Sequence, residues 1–376
     1  MKPRILVTTG AGRTGSVAAL ELARKGFPVR CLVHRDDQRA ARLRKAGIEV
    51  AVGSLYDWRD LHAALHDVQR AYHCPPFDSR LLHGSAMLAM AAQEAGLEVV
   101  ALMSAWNPHP THPSIVQREH WLTNNLYRRL PFDVIHVNPG MFAFTYFLGL
   151  PAIVHMGLLA LPFGDGLNAP PSNEDIGTVA ARVLENPAPY VGRCLRPTGP
   201  RLLSPQDVAA SMGELLGRRI RYRDVSIRMF AKAAVAQGFP TFQIAQVRHY
   251  AAELRAGAFA DVTNHVEEVC GRPPEGFTEI ARRYLNEPER VMPGLRLGSR
   301  AAAIAFAVRM MAARAPDLDR WERARDYPLI ANGALAHDNP DWVAAARRRQ
   351  LFLLPETAPP TDTLRTASHR LEREPM

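Results

Sequence analysis

The chain has 376 residues, of which 47% are hydrophobic and 22% are charged, and this excludes a disordered chain, a collagen-like chain and a disulfide-stapled module. Its 46 lysines and arginines exceed its 37 acidic residues and give a net charge of +9, yet only four of the cations are lysines, Lys2, Lys25, Lys45 and Lys232. Because the arginines are scattered among acids, we expect a solvated basic surface and no binding of nucleic acid.

The cysteines and the N-terminus indicate a reducing compartment. Cys31, Cys74, Cys194 and Cys270 are far apart and include no C-x-x-C pair, which argues against both a disulfide framework and a zinc ribbon. The first residues enter a strand at once, without the apolar core of a signal peptide. We therefore expect a cytoplasmic protein.

Short apolar strands alternate with helical stretches through the first 140 residues. The predicted elements are a strand over 5–8, a helix over 15–25, a strand over 29–33, a helix over 37–45, a strand over 48–52, a helix over 58–65, a strand over 68–73, a helix over 81–95, a strand over 97–103, a helix over 117–126 and a strand over 132–137. This alternation is typical of right-handed crossovers and a parallel sheet. The predicted fold class is α/β, with a doubly wound parallel sheet.

The glycine-rich segment Thr8–Gly15 (TTGAGRTG) lies between the first strand and the first helix. In a dinucleotide-binding turn, Gly10 permits the tight turn, Gly12 lets the backbone approach a pyrophosphate and Gly15 lets helix and strand pack closely. The helix N-terminus then offers free N–H groups to the phosphates. We predict a Rossmann sheet whose cofactor contacts include Gly10, Ala11, Gly12, Arg13, Thr14 and Gly15.

A nucleoside-triphosphate-binding P-loop is the competing interpretation, because Gly10 and Gly15 have the spacing of its two glycines. Ser16 stands where that loop needs a lysine to reach the terminal phosphates. The sequence therefore favours a dinucleotide over a triphosphate.

The end of the second strand indicates which dinucleotide binds. An acid there suits the 2′-hydroxyl of NAD, whereas an arginine suits the 2′-phosphate of NADP. The sequence offers Arg35, helped by Arg13 in the glycine-rich loop, and it places Asp36 and Asp37 directly behind. We expect NADPH to be favoured over NADH, with Asp37 as a cap of the next helix.

The segment Val134–Gly164 contains no Asp, Glu, Lys or Arg and is long enough to span a bilayer. Pro139, Pro151 and Pro162 interrupt it, and its first part already belongs to a predicted strand. We expect no transmembrane helix, but a buried strand that continues into an apolar wall or flap over a pocket.

Several segments in this order resemble the NmrA-like group of atypical short-chain dehydrogenase/reductases over about residues 1–285. They are the glycine-rich turn, residues 29–35, Gly53-Ser54-Leu55-Tyr56-Asp57, Arg118-Glu119-His120-Trp121-Leu122, Asn138-Pro139-Gly140 where the family usually has Arg-Pro-Gly, Gly199-Pro200-Arg201-Leu202-Leu203-Ser204, Gly217-Arg218-Arg219, Gly271-Arg272-Pro273-Pro274 and Arg282-Arg283-Tyr284. The resemblance implies a Rossmann domain, a small C-terminal lobe and a substrate cleft between them. Members include NAD(P)H-dependent reductases of quinones, azo compounds and other aromatic molecules, and also non-catalytic redox-sensing regulators.

The rest of the chain is predicted to be mainly helical. Helices are expected over 173–185 and over 204–216, followed by a strand over 221–225, helices up to about residue 284, and helices over 300–315 and 342–351. We expect a Rossmann domain over residues 1–170 with core strands to about 140, and a small, mainly helical substrate lobe over 171–285. A helical C-terminal extension over 286–354 and a disordered tail over 355–376 complete the expected organisation.

The proton donor of the usual short-chain dehydrogenases cannot exist here. No lysine lies between Lys45 and Lys232, so the Tyr-x-x-x-Lys pair that relays a proton to a carbonyl is missing. The resemblance implies a catalytic serine at Ser104, whose hydroxyl could instead bond local backbone. His120 lies near the place of the lost pair and has a suitable ordinary pKa, although a packing histidine fits its position as well.

Other segments are expected to shape the site without taking part in chemistry. Pro75, Asn138 and Pro139 follow strands and are predicted to line the nicotinamide end of the cleft. His109 and His112 lie between prolines with no cysteine or carboxylate partner nearby in sequence, so no metal site is predicted.

Two functions are consistent with these residues. The first is an NAD(P)H-dependent reductase that transfers a hydride to an apolar aromatic, quinone-like or heteroaromatic small molecule, and a biosynthetic tailoring step in secondary metabolism is compatible with it. The alternative is a non-catalytic NAD(P)-sensing regulator that binds a protein partner. The sequence does not indicate the oligomeric state.

Overall fold

The computed structural model describes residues 2–325 and the isolated residues 340 and 344. Its main feature is a seven-stranded parallel sheet in the order β3-β2-β1-β4-β5-β6-β8, and a separate parallel pair joins β7 to β9. The strands are β1 (Ile5–Val7), β2 (Val29–Val33), β3 (Glu49–Val52), β4 (Arg70–His73), β5 (Val99–Met103), β6 (Asp133–Val137), β7 (Leu158–Leu161), β8 (Cys194–Leu195) and β9 (Arg221–Asp224). This is the Rossmann strand order, so the predicted fold class is confirmed.

The α-helices of the described residues are α1 (Arg13–Arg24), α2 (Gln38–Lys45), α3 (Trp58–Leu65), α4 (Leu81–Glu94), α5 (Ile115–Tyr127), α6 (Leu150–Met156), α7 (Asn173–Glu185), α8 (Pro205–Leu216), α9 (Ile227–Ala236), α10 (Thr241–Arg255), α11 (His265–Cys270), α12 (Phe277–Asn286), α13 (Arg300–Ala312) and α14 (Leu318–Arg323). Two short 3₁₀ turns cover Ala143–Phe147 and Pro288–Arg290. The predicted helix over 342–351, apart from the isolated residue 344, and the tail over 355–376 lie outside the described residues.

Short polar residues fix where several helices begin. The Asp37 carboxylate accepts the Arg39 amide at 2.9 Å and caps α2, as the sequence predicts. Helix α8 begins with a capping box between Ser204 and Asp207, has Pro205 in its first turn and ends at Gly217 in the left-handed region at φ 60°. These local signals are readable in the sequence because each depends on residues within one turn.

The sheet carries a hydrophobic layer on each face. Helices α1, α7 and α11 contribute to one layer, in which Leu22 and Ile176 are buried. Helices α3, α4 and α5 contribute to the other, in which Leu61, Leu88 and Tyr127 are buried. Because α7 and β8 belong to this assembly, the Rossmann sheet extends past the boundary that the sequence places at residue 170.

The charge-free segment Val134–Gly164 begins in the predicted buried strand, which is β6, and then forms three further short elements in place of a continuous wall or flap. It contains β6, the first 3₁₀ turn, α6 and β7, and buries Tyr146, Phe147 and Ile153 in a core shared with α8 and α12. Within residues 2–325, no helix is both long and apolar enough to cross a bilayer. The segment is therefore the core of the second lobe as well as part of the sheet.

Candidate dinucleotide and substrate site

The glycines of the loop after β1 are required by the packing of the loop itself. The Gly10 amide donates to the Leu32 carbonyl at 3.1 Å, and a Cβ at Gly10 would overlap Cys31. A Cβ at Gly12 or at Gly15 would lie 2.9 or 2.6 Å from the Thr9 carbonyl oxygen. Any side chain at these positions would therefore open the turn that leads into α1.

The N-terminus of α1 offers backbone donors to an anion. Gly12 is its N-cap and provides no side-chain hydrogen bond to the first turn. The Thr14 hydroxyl is turned inward, where it accepts the Tyr72 hydroxyl at 3.1 Å, so Thr14 presents only its backbone to a ligand. Uncapped amides at the positive end of a twelve-residue helix fit a pyrophosphate, and Ala11 and Gly12 remain partly exposed beside them.

Arg13 is engaged with the second lobe. Its Nε donates to the Val291 carbonyl at 2.7 Å, and its guanidinium lies 4.0 Å from the centre of the Phe144 ring. Burial lowers the pKa of this guanidinium. The expected help from Arg13 in binding a 2′-phosphate would require these contacts to break.

Arg35 follows β2 with its side chain exposed, while the two acids behind it are already paired. Asp36 binds Arg44 at 2.7 Å, and the hydrogen bond from Arg44 lowers the pKa of Asp36. Arg39 likewise lowers the pKa of Asp37 to about 2. Arg35 forms no ion pair with another described residue, so the positive charge at this strand end is available to a phosphate.

Ser104 and Asn138 lie side by side at the carboxyl ends of β5 and β6. The Ser104 amide donates to the Val137 carbonyl at 2.9 Å, and the Asn138 amide donates to the Leu195 carbonyl at 2.7 Å. Both side chains are buried, yet the Ser104 Oγ and both polar atoms of the Asn138 side chain have no hydrogen-bond partner among the described residues. Orphaned polar atoms of this kind each cost about 1–3 kcal/mol, and a polar ligand at the cleft could satisfy them.

The two predicted prolines frame this end of the sheet. Pro75 is buried directly after Cys74, whose carbonyl accepts the Thr9 hydroxyl at 2.8 Å. Pro139 is buried directly after Asn138. The Thr9 hydroxyl thus ties the glycine-rich loop to the β4 end, and the Asn138 amide ties the β6 end to β8.

His120 lies inside the protein, on α5. Burial lowers its pKa to about 4, so its imidazole is neutral at neutral pH, and its Nδ1 has no hydrogen-bond partner in the described part of the chain. Burial and the nearby His120 lower the pKa of His73 to about 3. The ring of His73 is held between the hydroxyls of Thr8 and Ser85, each at 3.0 Å. His120 therefore belongs to a buried layer of imidazoles that are neutral at neutral pH.

A row of four aromatic rings crosses from the β4 end to the β5 end, and we call it the aromatic row. Phe77 lies 6.1 Å from Tyr250, Tyr250 lies 6.5 Å from Phe259, and Phe259 lies 6.2 Å from Trp106, measured between ring centres. Phe77 is 36% exposed, whereas Trp106 and Phe259 are buried. Phe77 and Trp106 follow Pro75 and Ser104 by two residues each, but their partners on α10 and after it carry no local signal.

Arg196, which follows β8, holds the loop after β5 in place. Its fully buried guanidinium lies 3.3 Å from the centre of the Trp106 ring and donates to the Asn107 side chain at 3.0 Å. Burial lowers the pKa of Arg196 to about 10. No local sequence signal marks this residue, because its contacts are with residues about ninety positions earlier.

His109 and His112, in the proline-rich loop after β5, make contacts that stabilise the fold. His109 Nδ1 accepts the Thr111 amide at 3.1 Å, and His112 Nε2 lies 3.2 Å from the Glu253 carboxylate with both side chains buried. Within residues 2–325, no group of three or more His, Cys, Asp or Glu side chains could hold a metal ion.

The NmrA-like family matches residues 1–272. The chain belongs to the NmrA-like family. It is 29% identical over 282 residues to an NAD(P)H azoreductase of Xenophilus azovorans, a match that covers 74% of this chain and 97% of that enzyme. Helix α13 lies beyond the family match.

Two solved structures share the fold. The quinone oxidoreductase QOR2 of Escherichia coli, complexed with NADPH, superposes with a TM-score of 0.67 at 22% identity and covers 75% of this chain and 100% of its own. NmrA, a negative transcriptional regulator complexed with NADP, superposes with a TM-score of 0.58 at 18% identity and covers 83% of this chain and 97% of its own. The same fold therefore carries both an enzyme and a regulator.

Proposed function

We propose that this protein is an NADPH-dependent reductase that transfers a hydride to an apolar aromatic acceptor, such as a quinone or an azo compound. The observation that carries the proposal is the pairing of orphaned polar atoms on Ser104 and Asn138 with the aromatic row beside them. Polar atoms at the strand ends fit the nicotinamide and the polar atom of the acceptor. The rings fit the acceptor's apolar body.

The residues that would hold the cofactor lie along one edge of the sheet. The uncapped start of α1 would take the pyrophosphate, Arg35 the 2′-phosphate, and Asn138 with Pro75 and Pro139 the nicotinamide end. When bound, the reduced nicotinamide supplies the hydride, and the protein supplies binding, orientation and electrostatics.

Ser104 is proposed to steady the acceptor as it gains negative charge. Its hydroxyl would donate a hydrogen bond to the acceptor oxygen or nitrogen, which then takes its proton from solvent. A quinone spreads the incoming charge over its ring, so it needs a weaker acid than the missing Tyr-x-x-x-Lys pair would supply. The neutral His120 would contribute to the polarity of the buried layer and would not act as an imidazolium donor.

The similarity to the azoreductase supports an aromatic acceptor, because that relative aligns over 97% of its own length. The regulator alternative is favoured by the shared fold with NmrA and by the lack of the Tyr-x-x-x-Lys pair. The orphaned Ser104 hydroxyl at the carboxyl end of β5 supports the reductase, because a sensor would not need a hydrogen-bond donor for an acceptor.

The test is NADPH oxidation, followed at 340 nm, with a panel of soluble quinones and azo dyes. We expect turnover, and we expect Ser104→Ala to lower kcat/KM by about tenfold or more, since one well-placed proton-transfer or hydrogen-bonding group contributes at least that much. Ser79→Ala, an exposed serine on the loop before α4, is the matched control and should retain full activity. Tight NADPH binding without turnover of any acceptor would reject the reductase and favour the regulator.

A further inference from the structure

Helix α13 carries an apolar stripe on its outward face, made of six exposed side chains. Ile304, Val308 and Met311 are 49%, 66% and 57% exposed, and the remaining members Ala301, Ala305 and Ala312 are exposed as well. These positions recur at the three- and four-residue spacing of one helix face. The opposite face is buried at Ala303 and packs on α6 and α9. The apolar stripe is therefore a second hydrophobic face on a helix whose inner face is already used.

Every charged side chain in the segment that contains the apolar stripe, from Val291 to Pro316, is an arginine. No Asp or Glu occurs from Val291 to Pro316, whereas Arg296, Arg300, Arg309 and Arg314 occur there and are exposed. None of these four guanidinium groups forms an ion pair with a residue in the range 2–325. Cations without an ion-pair partner therefore lie at both ends of an exposed apolar helix face. Such a surface is complementary to a ligand that is both apolar and anionic.

A second basic feature adjoins α13 through α6. His155 Nε2 lies 3.0 Å from the carbonyl of Leu297, in the turn that leads into α13, and the next residue, Met156, lines a cavity of about 430 Å³. We call it the arginine cavity, and its lining is Met156, Gly157, Leu158, Arg218, Arg219, Arg221 and Arg223. All four of its arginines are exposed, and none is ion-paired within the described residues.

We propose that α13 and the arginine cavity form a docking surface for an anionic phospholipid bilayer. The apolar stripe would enter the boundary between headgroups and acyl chains, and the arginines would bind lipid phosphates. With 13 residues, α13 is about 20 Å long, which is too short to span a bilayer and suits a helix lying in its plane.

The charge pattern favours a membrane over other occupants. A second copy of this chain would bring an equally basic face against the first, and the unpaired arginines would repel one another. A nucleic acid would satisfy the arginines but would leave the apolar stripe in water. An anionic bilayer satisfies both features, and α13 lies outside the segment that matches the family.

The test is co-sedimentation of the full chain with large vesicles, made either of phosphatidylcholine alone or of phosphatidylcholine mixed equally with phosphatidylglycerol. We expect binding to the anionic vesicles that weakens as salt is raised, and much weaker binding to the neutral ones. Val308→Ser should weaken anionic binding by about tenfold, because it removes one inserted apolar side chain. The double substitution Arg219→Ala and Arg221→Ala should weaken it by about fivefold for each arginine removed.

Matched controls separate this surface from general effects. Val191→Ser, a 37% exposed valine in a loop near β8, and Arg282→Ala on α12 should bind vesicles like the unchanged protein. Turnover of a soluble quinone should be unaffected by Val308→Ser, so loss of the proposed reductase activity and loss of docking are distinguishable. No binding to anionic vesicles, or binding that survives Val308→Ser, would overturn the proposal. A dimer in light scattering that Val308→Ser dissociates would assign the face to a second copy instead.

Discussion

Arg35 extends from the end of β2 into solvent, while Asp36 and Asp37 are each held by an arginine of their own. Because it is unpaired in the described structure, Arg35 can give its full charge to a 2′-phosphate. We expect Arg35→Ala to weaken NADPH binding by about tenfold to a hundredfold, since a charge-assisted contact to phosphate is worth about 1.5–3 kcal/mol. NADH binding should change less than about twofold by the same reasoning, and titration calorimetry with both cofactors measures the two losses.

Arg42→Ala is the control for this comparison. Arg42 is exposed on α2, and its replacement removes a positive charge from the same region without changing the strand end. NADPH affinity should therefore be nearly unchanged in Arg42→Ala. Equal losses of NADPH and NADH in Arg35→Ala would contradict a role in reading the 2′-phosphate.

For single residues, the sequence correctly predicts the roles that depend on neighbours along the chain. The glycines at 10, 12 and 15 and the capping role of Asp37 are readable because turns and caps depend on local geometry. The roles of Arg196 and Tyr250 cannot be predicted from the local sequence, since burial and ring contacts with distant segments determine them. The engagement of Arg13 with Val291 is likewise a contact across 278 residues.

Helix α4 receives a cap from another element. Its N-cap residue Arg80 makes no side-chain cap, and the Glu119 carboxylate on α5 accepts the Leu82 amide at 3.3 Å. Burial raises the pKa of Glu119 from 4.5 to about 7. The folded protein therefore binds this proton more tightly than the unfolded chain does.

This raised pKa has a definite effect on stability. The contribution of Glu119 to the free energy of unfolding should fall as pH rises from about 4.5 to about 7 and should be constant above that. The Glu119→Gln side chain cannot ionise, so the variant should lack this pH dependence. Its free energy of unfolding, relative to that of the unchanged protein, should be about 1–3 kcal/mol higher at pH 8 than at pH 5. Tm measured at both pH values gives the difference, and the exposed Glu214→Gln should follow the unchanged protein. If the Tm of Glu119→Gln and the Tm of the unchanged protein changed equally between the two pH values, the raised pKa of Glu119 would be contradicted.

The elements that the sequence predicts well are those with a local hydrophobic period and a cap. Strand β2 and helices α3 and α7 have the predicted bounds, the other described elements for which the sequence predicts bounds differ by a few residues at their ends, and helix α6 is not predicted. Strands β7 and β8 are not predicted. β7 pairs with β9 some sixty residues later, and β8 has only two residues, so neither strand has a pattern of its own. The sequence does not predict separate elements in the charge-free segment after β6, because the bounds of those elements depend on packing within the second lobe.

The two lobes are joined by a buried polar network between α5 and α10. The Ser114 hydroxyl donates to the side-chain oxygen of Gln246 at 2.7 Å. The side-chain amide of Gln117 donates to the two carboxylate oxygens of Glu253 at 3.1 and 3.2 Å. His112 Nδ1 accepts the Ser114 amide, which leaves its other nitrogen 3.2 Å from Glu253. Because Glu253 is only 1% exposed, its charge depends on these contacts for compensation. The cleft that would hold the substrate is therefore positioned by a carboxylate of one lobe and its partners on the other.

Replacing this carboxylate should loosen the whole molecule. Glu253→Leu leaves the Gln117 amide group and the His112 ring without their acceptor in a buried place, which should cost about 2–4 kcal/mol of unfolding free energy. Calorimetry should show a Tm several degrees lower, and kcat/KM for the aromatic acceptor should fall as well because the aromatic row spans the same two lobes. Glu267→Gln on α11, an exposed carboxylate, should change the unfolding free energy by less than about 0.5 kcal/mol. A Tm for Glu253→Leu within the range of that control would mean that the lobes are held together by their apolar contacts alone.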